Sequence, residues 1–297
     1  MEFLAPLAAS PALFIGCCLF LGLLVGSFLN VVIHRVPIMM DNELRAECAA
    51  LAGGEVATPA RFNIVTPRSA CPKCQAPITA MQNIPVVSWL ALRGKCASCK
   101  TPISARYPLV ELATGLLSAF IAWRFGFGAP ALAALAFTWF LVALTMIDFD
   151  TQYLPDQLTY PLLWLGLITS LWYPVWATGA MPVGPRESII GAVTGYLTLW
   201  GVYWTFKLLT GKEGMGYGDF KLYAALGAWL GWQMLLPILI FASGVGALFG
   251  IVIMIRQRRG KDTQIAFGPF LAIAGWLALV AGHGIVARYL GLFHPPG

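Results

Sequence analysis

Gly214-Met215-Gly216-Tyr217-Gly218-Asp219-Phe220-Lys221 separates two apolar runs in a chain that is mostly apolar. Its glycines alternate with bulkier residues, which leaves the backbone free to turn tightly and to come close to other groups. Asp219 falls where a hydrophobic segment resumes. An ionisable group at the margin of a membrane segment is costly to hold and points to function. The same position also suits the cap of a helix, so the stretch alone reads equally as a capped loop or as a site.

The surrounding composition decides what kind of protein holds this stretch. Of 297 residues, 59% are hydrophobic and 11% are charged, against roughly 25% charged in a soluble domain. A spanning helix needs about 20 apolar residues. The expected fold is therefore an all-α polytopic membrane protein with about eight transmembrane helices. Candidate spans cover residues 12–34, 107–123, 130–148, 158–174, 187–207, 219–233, 234–255 and 267–291. The sixth and seventh run together, so the sixth is expected to be short or tilted, with the turn at Gly231-Trp232-Gln233. The first run is too long for the apolar core of a signal peptide and lacks a basic stretch before it, so it reads as a retained span.

Charge sets the orientation. With the N-terminus outside, segments 35–106, 149–157, 207–221 and 256–266 face the cytoplasm and hold sixteen of the nineteen Lys and Arg. Only Arg124, Arg186 and Arg288 fall on the other side. The positive-inside rule selects this arrangement, with both termini on the outer face, the periplasm if the organism is Gram-negative. His283 and His294 then lie on the face away from Asp219 and read as interfacial or tail residues. The charge of +6 follows from topology and from contact with anionic headgroups. No interleaved aromatics suggest a nucleic-acid surface.

Three regions follow: residues 1–36 as the first span, 37–106 as a polar cytoplasmic loop domain, and 107–297 as a membrane domain of about seven helices. The loop carries Cys71-Pro72-Lys73-Cys74 and Cys96-Ala97-Ser98-Cys99. Two CxxC pairs can each present two thiolates to one tetrahedral zinc, in the manner of a zinc ribbon. A reducing compartment argues against disulfides. Four cysteine ligands leave no open coordination position, so Cys71, Cys74, Cys96 and Cys99 imply a structural metal that folds a small loop.

Three carboxylates crowd the end of the third span: Asp148, Asp150 and Asp156. Asp148 closes the apolar run, and Asp150 lies about 200° further round the helix. Asp156 follows Pro155 and is placed to cap the fourth span. Asp148 and Asp219 reach the same membrane face from different parts of the chain. If they meet, they form the acid–base pair that activates water against a peptide carbonyl. If they do not, they are two solvated helix-end carboxylates.

At these residues the chain resembles the bacterial type 4 prepilin peptidases, membrane aspartic proteases of the GxGD type. The resemblance covers nearly the whole chain. It rests on Gly26-Ser27-Phe28-Leu29-Asn30-Val31 with Arg35 and Pro37, the paired CxxC loop, Arg106-Tyr107-Pro108 with Glu111, Ile147-Asp148 with Leu154-Pro155-Asp156, and Gly216-Tyr217-Gly218-Asp219 with Lys221. It implies removal of a basic leader from prepilins and type 2 secretion pseudopilins at the cytoplasmic membrane face, after a glycine. It also implies N-methylation of the new first residue, usually Phe, with S-adenosyl-L-methionine as donor. The catalytic aspartates it implies are Asp148 and Asp219, and the four cysteines it implies as zinc ligands.

The residues themselves agree with the protease half, since acidic groups at the membrane edge suit a basic leader, with Asp150 and Asp156 as candidates. They do not show a methyl-donor site: no glycine-rich strand–turn–helix is present. Arg35 and Pro37 are possible contributors there. Glu111 reads as the partner of Arg35 or Arg106, or as a participant in methyl transfer. Lys221 reads as a snorkelling residue or a tuner of Asp219. Two other classes compete. A secondary transporter has acidic residues at helix breaks, but near the bilayer midplane. A zinc-binding assembly protein would tolerate loss of both aspartates.

Overall fold

The computed structural model describes residues 5–52, 62–172, 183–257 and 266–282. Among them the chain is almost entirely helical, with two isolated β-bridges and no strand. It divides into two compact units, Met1–Phe127 and Gly128–Gly297.

The first unit is built on α1 (Pro11–Leu51) and α2 (Arg106–Phe125). Ser10 caps α1, its hydroxyl accepting from Leu13 N–H, and a proline opens the helix. The two helices pack through small residues. A side chain on Gly22 would run into Ser118, and one on Gly26 would sit 2.7 Å from the Glu111 Cα. Helices in lipid gain little from hydrophobic exclusion, so close backbone approach is what joins them.

The first helix runs on past residue 36 to Leu51, with Pro37 inside it. Pro37 removes one backbone donor but does not stop the helix, because the residues that follow (Ile38 to Leu51) include good helix formers and an Asp41–Arg45 pair at 2.7 Å. At 1.5 Å per residue its 41 residues span about 60 Å, roughly twice the hydrocarbon core. Its polar second half therefore stands beyond the membrane.

The second unit contains α3 (Ala129–Thr151), α4 (Asp156–Ser170), α5 (Pro185–Thr210), α6 (Tyr217–Leu230), α7 (Leu235–Gln257) and α8 (Gly268–Leu277). The helix α6 is its centre. Every residue from Leu222 to Leu230 is buried, along with Asp219 and Phe220. A helix apolar all round belongs inside a bundle. The close packing against α5 uses Gly191 and Gly227, where a side chain on either would collide with the carbonyl of the other. Ser188 Oγ donates to Ala228 O at 2.6 Å across the same contact. On the α4 side, Trp229 Nε1 donates to Leu162 O at 2.7 Å.

Five helices are long and apolar enough to cross a membrane: Pro11–Leu51, Arg106–Phe125, Ala129–Thr151, Pro185–Thr210 and Trp232–Ile255. Gly268–Ala281 is a shorter apolar helix. The eight expected spans all coincide with helices, but α4 and α6 have only 15 and 14 residues. The shortness of α6 follows from its surroundings, since a helix sheathed by protein need not match the lipid. Its end is sharp: Gly231 takes φ +79 and a 3₁₀ turn over Trp232–Met234 leads into α7. The ends of the fourth and eighth expected spans, and the tail with His283 and His294, lie outside the described residues.

Candidate active site and metal centre

The two CxxC segments form near-identical knuckles. In each, the first cysteine's N–H bonds the carbonyl five residues on (Cys71 to Ala76, Cys96 to Thr101), at 3.0 and 2.8 Å. In each, its carbonyl accepts from the residue four further on (Gln75, Lys100), and both of those residues take positive φ. The bridges Ala70–Pro77 and Lys95–Pro102 close the turns.

This repeat brings the Sγ atoms of Cys71, Cys74, Cys96 and Cys99 within 4.8 Å of one another. Cys71–Cys99 and Cys74–Cys96 are 3.7 and 4.0 Å apart. A tetrahedral ion with metal–sulfur bonds of about 2.3 Å sets its sulfurs about 3.8 Å apart. The cluster can therefore hold a metal ion with little movement. Beside the cluster, the Cys99 thiol donates to the Thr101 hydroxyl at 3.3 Å.

Arg35 holds loop carbonyls. Buried in α1, it donates to Asn63 O at 2.8 Å, Ile64 O at 3.4 Å and Pro67 O at 2.6 Å, and stacks over Phe62. It ties the loop to the helix. Of the two ion-pair partners expected for Glu111, Arg35 and Arg106, the first is thus engaged with the loop. Glu111 Oε2 instead accepts the Val86 N–H at 2.7 Å.

The aspartates belong to the second unit. Asp148 lies one turn before the end of α3, where Gln152 in a left-handed conformation returns its N–H to Asp148 O. Asp219 lies in the first turn of α6, whose cap is Gly216. The Asp219 N–H bonds Gly216 O at 3.2 Å, and the Gly216 N–H bonds the Asp219 carboxylate. Asp219 is thus a first-turn residue of α6, three positions after the cap. It is also close enough to Asp148 for the two charges to act on each other.

Two glycines of this stretch, Gly214 and Gly218, serve packing. Gly214, Gly216 and Gly218 do not take positive φ; the turn is made earlier, at Gly211 with φ +70. A side chain on Gly218 would sit 2.7 Å from the Leu154 Cβ.

A residue absent from the sequence reading completes the site. Gly268, the first residue of α8, donates its N–H to the Asp148 carboxylate. A side chain there would lie 2.5 Å from Asp148 Oδ2 and 3.0 Å from Leu154 Cδ1. Leu154 is therefore wedged between Gly218 and Gly268. Asp148 Oδ2 is buried and has no hydrogen-bond partner among the described residues. Such an atom is rare and calls for a proton, a water or a ligand.

The other acids take different places. Asp150 is exposed. Asp156 is the first residue of α4 and follows its cap, Pro155. Both its carboxylate oxygens accept from Lys221 Nζ, at 2.6 and 2.8 Å. Lys221 therefore pins α6 to α4 instead of reaching for headgroups.

Residues 135–251 match the model of the type IV leader peptidase family, and residues 20–125 match that of the bacterial peptidase A24 N-terminal domain. A prepilin leader peptidase/N-methyltransferase of Stutzerimonas stutzeri is 54% identical over 291 residues, covering 96% of each chain. The chain belongs to the type IV leader peptidase family. A Pseudomonas aeruginosa member of the same name is 52% identical over 98% of each chain. A Neisseria gonorrhoeae member is 51% identical over 89% of this chain and 90% of its own. No solved structure matches the chain.

Proposed function

We propose that the protein is a prepilin leader peptidase and N-methyltransferase whose peptide-bond chemistry is carried by Asp148 and Asp219. The single observation behind the residue assignment is the buried approach of these two carboxylates, with Asp148 Oδ2 left unpartnered. One carboxylate takes a proton from water and the other, protonated, polarises the scissile carbonyl. Water oxygen attacks carbon, and the C–N bond breaks as the amine receives a proton. The Gly268 and Gly216 N–H groups hold the two carboxylates during these steps.

The substrates are prepilins and pseudopilins, apolar helices with a basic leader. The active site and the cysteine loop face the cytoplasm and both termini the periplasm of the inner membrane, as the placement of Lys and Arg requires. Residues 37–106 supply the metal-folded loop, 1–36 and 107–297 the membrane-embedded parts. S-adenosyl-L-methionine supplies the methyl group. The transporter alternative loses support from the placement of both aspartates at helix ends, and the assembly-protein alternative from their burial together.

The test is to incubate the purified protein in lipid with a prepilin and labelled S-adenosyl-L-methionine. The expected products are a shortened pilin and label on its new amino terminus. An intact prepilin would remove the reading.

The metal is zinc, held by Cys71, Cys74, Cys96 and Cys99. Elemental analysis should give one zinc per chain, and Cys71→Ser should lose it. Because the metal folds the loop, that variant should give less folded protein, with cleavage per folded molecule changed only a fewfold. A metal-free wild type, or an inactive but well-folded Cys71→Ser, would contradict a structural zinc.

A further inference from the structure

Among the described residues three carboxylates are buried: Asp148, Asp219 and Glu111. Peptide cleavage uses the first two. Glu111 lies in the first unit, in the second turn of α2, and keeps 9% of its surface exposed. Its contacts are arranged with unusual backbone geometry. Val86 takes φ 61 and ψ −50, a conformation that a β-branched side chain rarely adopts. The result is that its N–H points at Glu111 Oε2, at 2.7 Å. The Ser27 hydroxyl stands beside the carboxylate and donates to Asn83 Oδ1 at 3.5 Å. Gly26, with no side chain, lets the Glu111 backbone press against α1.

These partners are neutral donors. They fix the carboxylate without cancelling its charge, so an incoming cation is the group it suits. The adjoining segment adds a second feature. Met81, Ile84, Val87 and Leu90 recur every third residue and are all exposed, at 79, 44, 61 and 61%. An anion with exposed apolar side chains in the adjoining segment matches a primary ammonium attached to an apolar chain. The freshly exposed amino terminus of a cleaved pilin has that chemistry.

We propose that Glu111 is the catalytic base of methyl transfer, binding the α-ammonium of the cleaved peptide and removing one proton from it. This rests on the reading of the protein as a methyltransferase as well as a peptidase. The Glu111 carboxylate takes the proton and the amine nitrogen regains its lone pair. That pair forms an N–C bond with the methyl carbon of the sulfonium donor, S-adenosylmethionine. The C–S bonding pair returns to sulfur, which becomes a neutral thioether. The product is a secondary ammonium, and Glu111 releases its proton to water.

The test uses the full-length protein in lipid and a synthetic pre-cleaved pilin peptide. Glu111→Gln keeps the size and the acceptor for Val86 but cannot take the proton. It is expected to lower methylation of the peptide at least 100-fold, with leader cleavage retained as the check on folding. Wild type should bind the free-amine peptide at least tenfold more tightly than its N-acetylated form, and Glu111→Gln should lose that difference. Methylation within threefold of wild type, or an unchanged preference for the free amine, would overturn the proposal. Should Glu111→Gln fail to fold, Ser27→Ala decides: methylation reduced several-fold with cleavage kept supports the site, and equal effects on both activities reject it. A wild type that cleaves but methylates no pilin peptide would remove the methyltransferase reading itself.

Discussion

Asp148→Asn and Asp219→Asn should each abolish leader cleavage, with kcat reduced about 10⁴-fold or more, the scale seen when one member of a cooperating catalytic set is removed. Asn has the size of Asp and can still receive the Gly268 or Gly216 N–H. The helices should therefore keep their places, and the folded yield should match wild type. What Asn cannot do is exchange a proton with water or with the leaving amine. Methylation of a pre-cleaved peptide should continue in both variants, because the aspartates lie in the second unit and Glu111 in the first. Quantitative gel analysis of prepilin cleavage, beside label transfer to the pre-cleaved peptide, measures both effects on one preparation.

Gly268→Ala should come next in size, with cleavage reduced about 100-fold. The added methyl would stand 2.5 Å from Asp148 Oδ2 and 3.0 Å from Leu154 Cδ1. Contact that close cannot persist, so the carboxylate or the start of α8 must shift by several tenths of an ångström. Displacements of about 1 Å at a reacting group can cost a factor of about 10². The loss should fall on kcat with KM little changed, because the methyl meets the Asp148 carboxylate. A rise in KM at constant kcat would show that Gly268 contacts the substrate and not Asp148. Gly218→Ala, directed at the Leu154 Cβ on the other side of the wedge, should show the same pattern more weakly.

The parts of this architecture that the sequence reveals are those written in periodic or paired side chains. Long apolar runs locate the helices, and the glycine-rich break before Asp219 marks the start of α6. The CxxC pairs announce their own convergence, because one ion needs four thiolates at fixed spacing. Asp148 and Asp219 can be placed at helix ends by counting, but their approach depends on how α3 and α6 pack, which no local pattern records.

Other parts were hidden for identifiable reasons. Gly268 acts through a backbone N–H, and every non-proline residue has one. Its only trace is the Phe267-Gly268-Pro269 start of an apolar helix. The Lys221–Asp156 pair joins residues 65 apart, so Asp156 reads locally as a cap and Lys221 as a lipid-facing cation. Pro37 reads as a helix end because proline removes a donor, yet good helix formers on its far side carry α1 on to Leu51. The contact between Val86 and Glu111 depends on a positive φ at a valine, a position that sequence preference assigns to almost any other residue.

The central claim is that Asp148 and Asp219 act as one catalytic unit. A double-substitution cycle on prepilin cleavage tests it most directly, comparing Asp148→Asn, Asp219→Asn and the two combined under single-turnover conditions. Residues that share one step are not additive. The double variant should therefore be no slower than either single one, all three about 10⁴-fold below wild type. Substantial cleavage by either single variant, or losses that multiply in the double one, would contradict the pair.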